Sequence, residues 1–215
     1  MFPGFTAETI DFLWGIRMNN DRDWFQAHKK DYVDTLYEPM KALGQALFQP
    51  FLDRPGNILK VSRIYRDARL HHPQPYKESL WICIRKDVEW WAEAPCLYFE
   101  IDPDGAHYGL FWWQGKTAAM EAFRKRIAAR PDEFLDLIRD TEAAVGQPVT
   151  AECYKRPKVP EDPRLEPYYA WRRQIGCVRQ IGPGPALFSP ELASEVSDFF
   201  EKLVPLYEYL YRFVE

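Results

Sequence analysis

Residues 80–113 read L-W-I-C-I-R-K-D-V-E-W-W-A-E-A-P-C-L-Y-F-E-I-D-P-D-G-A-H-Y-G-L-F-W-W, and the order of apolar and polar side chains in this stretch decides the fold. Leu80, Ile82 and Ile84 alternate with Trp81, Cys83 and Arg85, and Leu97, Phe99 and Ile101 alternate with Tyr98 and Glu100. A period of two sends successive side chains to opposite faces of a strand, so both stretches are predicted as strands with one apolar face. Asp102-Pro103-Asp104-Gly105 has the residues of a type I turn followed by a glycine bulge, which joins antiparallel strands. His107 to Trp113 is then the return strand. An antiparallel sheet favours an α+β fold over a doubly wound parallel one.

Working outward, the chain before the sheet is helical over about 6–50. Thr6 is placed to cap a first helix, with Phe5 and Ile10 at the spacing of a hydrophobic staple, and Ile10, Leu13 and Ile16 form its apolar stripe. That helix is expected to end near Asn19. Asn20 or Asp21 caps a second, longer helix carrying Phe25, Tyr32, Leu36, Met40, Leu43 and Leu47, which Pro39 kinks or splits. The sheet section covers about 59–113. Helices follow over about 117–145, one bearing Met120, Phe123 and Ile127 and a second opening at Pro131. Residues 148–190 are dense in proline and read as loops wrapping the core, with short strands near Cys153 and Ile175. A last helix runs from about 190 to 213, opened by Ser189 or Pro190. The reading is one domain over 1–215: a mostly antiparallel sheet packed against N-terminal, central and C-terminal helices.

Composition agrees with a packed core. A chain of 215 residues with 47% hydrophobic and 28% charged side chains has globular proportions and can bury one sizeable core. Aromatics make up 16%, with eight Trp, which serves either a heavily aromatic core or an aromatic-walled groove. The first residues show no basic, apolar and cleavage-site pattern of a secretory signal, and no apolar run approaches the length of a membrane span. The expectation is a cytoplasmic protein without a membrane role. Cys83, Cys96, Cys153 and Cys177 are far apart and form no C-x-x-C, so free thiols are expected in place of a zinc or redox motif.

Charge singles out one segment. The run K-V-S-R-I-Y-R-D-A-R-L-H-H-P-Q-P-Y-K, residues 60–77, carries Lys60, Arg63, Arg66, Arg69 and Lys77 against Asp67, a local +4 in a chain of net −4. Like charge gathered in this way repels itself unless acids of the fold or an external anion neutralise it. With Val61 to Leu70 as a strand, Arg66 falls on the more apolar face, where a guanidinium needs a carboxylate or phosphate for its planar fork. Two readings stand side by side. Arg63, Arg66, Arg69 and Lys77, with Tyr76, form a site for a small phosphate- or carboxylate-bearing ligand, or the arginines form internal ion pairs in a structural or interaction protein. A third makes the chain an enzyme acting on such a ligand, with His71, His72 and Asp67 in proton transfer and neighbouring positive charge lowering the imidazole pKa; solvated bystander histidines are the plainer alternative.

Other chemistries lack their residues. His28 and His107 are the only further histidines and no ligand spacing exists, so no metal is expected, and no cofactor motif is present. Gly182-Pro183-Gly184-Pro185 has prolines where a phosphate cradle needs free N–H groups, and there is no G-x-S-x-G elbow. In 19–25, capping explains Asn20 and Asp23, and core burial explains Trp24 and Phe25. Nucleic acid is disfavoured, since outside the basic run the chain sums to −8 and repels phosphate.

The segments N-N-D-R-D-W-F-Q-A-H-K-K-D-Y (19–32), R-I-Y-R-D-A-R-L-H-H-P-Q-P-Y-K (63–77) and Y-G-L-F-W-W (108–113) together resemble the family known as domain of unknown function 2461, which is widespread in bacteria. The resemblance spans nearly the whole chain, and Arg124 and Tyr154-Lys155-Arg156-Pro157 also match. It implies a single α+β domain in which 19–32 and 63–77 belong together, and it implies no reaction. This sequence departs from the family pattern at Leu70, where Phe is usual, at Pro73 and Gln74, near which an Asp-Lys pair is usual, and at Glu78, where a small hydroxyl residue is usual.

Overall fold

The computed structural model describes residues 1–67, 69 and 73–214. In chain order it contains α1 (Ala7–Met18), α2 (Arg22–Ala27), α3 (Lys29–Asp31), a π-helical turn (Tyr32–Tyr37), α4 (Glu38–Phe48), β1 (Asn57–Val61), β2 (Leu80–Lys86), β3 (Pro95–Asp102), β4 (Gly105–Trp112), α5 (Thr117–Ala129), α6 (Pro131–Val145), β5 (Thr150–Cys153), α7 (Glu166–Tyr169), β6 (Trp171–Ile181), α8 (Pro185–Phe188) and α9 (Leu192–Tyr211). The six strands make one open antiparallel sheet in the order β1-β2-β3-β4-β6-β5. The chain is therefore α+β, as the alternation around Asp102–Gly105 requires.

Its contacts gather into two compact units, each assembled from separated stretches. The first comprises Met1–Ile84, Tyr98–Tyr108 and Arg179–Ser197, the second Arg85–Leu97, Gly109–Val178 and Asp198–Glu215. In the first unit α1 begins at Thr6, whose N–H donates to Thr9 Oγ1 at 3.1 Å, and α2 begins at Asp21, whose carboxylate accepts from Trp24 N–H at 2.9 Å. Leu13, Ile16, Phe25, Leu36, Met40, Leu43 and Leu47 have no exposed surface. Burying such side chains stabilises the unit by about 1.5–3 kcal/mol apiece. Phe5 stacks on Phe99 at 5.9 Å and Phe25 on Tyr76 at 4.2 Å, so the aromatic surplus in this unit goes largely into core.

Three local features differ from the periodicity. The second helix is not continuous: it breaks at His28 and widens into the π-helical turn, and Pro39, in the first turn of α4, has no N–H to give to the turn before it. Thr9 Oγ1 donates to the freed Thr35 carbonyl at 2.7 Å, supplying the partner that the widened turn lacks. The basic run does not continue β1. The strand ends at Val61, because Ser62 offers its hydroxyl to Trp81 N–H at 2.9 Å in place of a backbone carbonyl. Lastly, the short strand expected near Ile175 is β6, eleven residues long and placed between β4 and β5.

In the second unit Phe123 stacks on Trp171 at 5.8 Å and meets Phe134 and Phe213 edge-on. Arg124, 4% exposed, donates to the carbonyls of Tyr169 at 3.1 Å, Met120 at 3.3 Å and Trp171 at 2.6 Å, and to Glu121 Oε1 at 3.1 Å. A buried guanidinium with four of its five N–H donors engaged in this way ties the ends of α7 and β6 to α5. No disulfide joins Cys83, Cys96, Cys153 and Cys177, of which Cys83 and Cys177 are buried. Among the described residues no helix is long and apolar enough to cross a membrane.

Candidate functional site

After leaving β1 the chain turns out and back, and the two arms meet at a single bridge between Tyr65 and Tyr76. Arg66 N–H donates to Pro75 carbonyl at 2.8 Å and Lys77 N–H to Ile64 carbonyl at 2.7 Å. The returning arm is held from the other side by Asn20, whose side-chain amide donates to Tyr76 carbonyl and accepts from Tyr76 N–H, both at 3.0 Å. Segments 19–32 and 63–77 are thus joined by hydrogen bonds and by the Phe25–Tyr76 stack.

The basic residues of these arms take different partners. Arg69 is engaged by Asp67, which takes its backbone N–H at 3.0 Å and its guanidinium at 2.9 and 2.6 Å. Asp67 is therefore occupied as an ion-pair partner. Arg66 donates to Gln74 Oε1 at 3.1 Å and lies 3.9 Å from Glu78. Glu78 in turn receives Arg17 Nε at 2.9 Å, and Arg17 reaches Asp104 at 3.2 Å. Burial works against the Arg17 charge, but these two carboxylates hold it protonated more firmly than an ordinary arginine. Arg63 is exposed and has no ion pair among the described residues. Tyr76, 3% exposed, turns its ring into the core. His71 and His72 lie outside the described residues.

Lys77 differs from the arginines. It is half-buried, its ammonium stands 5.6 Å from the centre of the Trp81 ring, and among the described residues no carboxylate lies within ion-pair distance of it. Burial lowers its pKa, Glu100 opposes that shift and Arg66 adds to it.

Beyond Lys77 the outward side chains of β3 and β4 form a polar floor. Ser79 Oγ donates to Glu100 Oε1 at 2.6 Å, and His107 Nδ1 and Tyr98 Oη are hydrogen-bonded at 3.1 Å. His107 Nε2 faces Glu100 at 3.8 Å and Asp102 at 4.0 Å. These residues are each about 30% exposed or partly buried, so a solute can reach them. Sequence reasoning passed over Tyr98, Glu100, Asp102 and His107 because polar residues on the outer face of a strand read as solvated. The signal was present, since Glu100 and His107 flank one turn on that face. Among the described residues no group of His, Cys, Asp and Glu is arranged to hold a metal ion. In the second unit a cavity of about 440 Å³ lies beside Trp90 and Phe213, bordered by the Lys116–Glu93 ion pair at 2.6 Å.

A profile of the family described as conserved hypothetical protein (DUF2461) matches residues 8–209. No curated protein sequence matches the chain.

Proposed function

The chain belongs to the DUF2461 family of conserved hypothetical proteins, and we propose that it binds a small ligand through an anionic group, phosphate or carboxylate, at Lys77 with Arg66 and Arg63. The observation that carries this reading is the state of Lys77. A lysine held half-buried over an indole, with no carboxylate within ion-pair distance among the described residues, raises the free energy of the folded chain, and an incoming anion would offset that cost. Arg66 is shared loosely with Glu78 at 3.9 Å, so its guanidinium has donors left for a planar anion. Arg69, engaged by Asp67, contributes only to the local positive potential.

The test is a thermal-shift and calorimetric series with inorganic phosphate, sugar phosphates and dicarboxylates. Ligand at a hundred times its dissociation constant should stabilise the fold by about 2.7 kcal/mol. Lys77→Met should abolish that response and leave the melting temperature of the free protein unchanged or raised. A melting temperature indifferent to every anion in the series would end this reading.

A further inference from the structure

Resting on that reading, we propose that the ligand is a hydroxyl-rich anion, a phosphorylated or carboxylated sugar or polyol, and that Ser79, Tyr98, Glu100, Asp102 and His107 receive its hydroxyl groups. These side chains belong to the same unit as Lys77, and Tyr98, Glu100, Asp102 and His107 lie at half-buried positions of β3 and β4. Ser79, two residues on from Lys77, donates its hydroxyl to Glu100 at 2.6 Å, which brings the two groups to neighbouring places.

The polar groups have capacity to spare. An ionised carboxylate presents about four acceptor sites and no donor. Among the contacts within hydrogen-bond distance, Glu100 uses one of them, for the Ser79 hydroxyl at 2.6 Å. His107 Nε2 stands 3.8 and 4.0 Å from Glu100 and Asp102, too far for direct hydrogen bonds. Facing two carboxylates, Nε2 is placed as a donor, while Nδ1 is hydrogen-bonded to Tyr98 Oη. The place beside Nε2 thus presents one donor and two acceptors. A hydroxyl satisfies all three roles, accepting from Nε2–H and donating to a carboxylate. An ammonium can donate to the carboxylates but leaves Nε2–H without an acceptor. A bare inorganic anion would be repelled by both acids.

The experiment compares matched ligands by calorimetry: glycerol 3-phosphate against propyl phosphate, glucose 6-phosphate against hexyl phosphate, and gluconate against hexanoate. In at least one pair the hydroxylated member should bind ten times tighter or more. Combined Glu100→Gln and Asp102→Asn should bring that ratio close to one, with the hydroxyl-free member still bound. Ratios near one in all pairs, with the hydroxyl-free anions bound, would overturn the assignment and leave anion binding standing. Phosphoethanolamine binding tighter than glycerol 3-phosphate would overturn it as well. If no member of any pair binds, anion binding itself falls and this inference falls with it.

Discussion

Asn20 serves Tyr76 as a neighbouring strand would, giving one acceptor and one donor to a backbone that has left the sheet. Only a primary amide among small side chains can do both, because a carboxylate has no donor and a hydroxyl is too short to span both groups. Asn20→Ala should therefore lower the unfolding free energy by about 2 kcal/mol, read as a shift in urea midpoint, since two partly buried backbone groups lose their partner. Asn20→Asp keeps the acceptor but sets a second oxygen against the Tyr76 carbonyl, and should be no milder. This pairing was foreshadowed only by the resemblance that linked 19–32 to 63–77. As a residue read alone, Asn20 looked like a helix cap, a role that Asp21 takes.

At the scale of elements, β4 owes its place beside β6 to two glycines. Gly105 and Gly109 have φ of +131° and +153°, and a Cβ at either would stand 2.1 Å from a carbonyl oxygen, of Ile181 and Cys177 respectively. Gly105→Ala or Gly109→Ala should each cost more than about 2 kcal/mol, from backbone strain and from forcing β6 away. Gly182→Ala, where a Cβ meets nothing within 4 Å, should stay within about 0.5 kcal/mol of the parent. Chemical denaturation of the three variants side by side checks this. The sheet was legible from 80–113 because alternation and turn chemistry are local. The π-helical turn was not, since Tyr32, Leu36, Met40 and Leu43 keep helical spacing and the compensating Thr9 hydroxyl comes from another helix. Nor was the end of β1, which depends on a Ser62–Trp81 bond across the sheet. The length of β6 was hidden by the prolines around it, although none interrupts 168–182. On the functional side, the segment 60–77 was legible as unusual by charge alone, whereas the floor of Glu100 and His107 needs two strands folded against each other.

Across the whole molecule, carboxylates held below their ordinary pKa are unevenly shared. Hydrogen bonds from Lys158, Arg126, Arg173 and Arg164 lower Glu121, Glu133, Glu152 and Asp162, all in the second unit, and the Thr6 hydroxyl lowers Glu8 in the first. A group whose folded pKa is depressed stabilises the fold above its unfolded pKa, about 4 for Asp and Glu, and that contribution is lost as pH falls through the folded value. On acidification below about pH 4, amide hydrogen exchange in α5, α6 and β5 should therefore accelerate before that in α1 and α4. The reverse order would show that these exposed pairs are too screened to matter.

The alternation of the two units along the chain also bears on truncation. Six stretches alternate between the two units from Met1 to Glu215, so no single cut in the chain leaves both whole. Removing residues from either end therefore cuts into both units before either is gone.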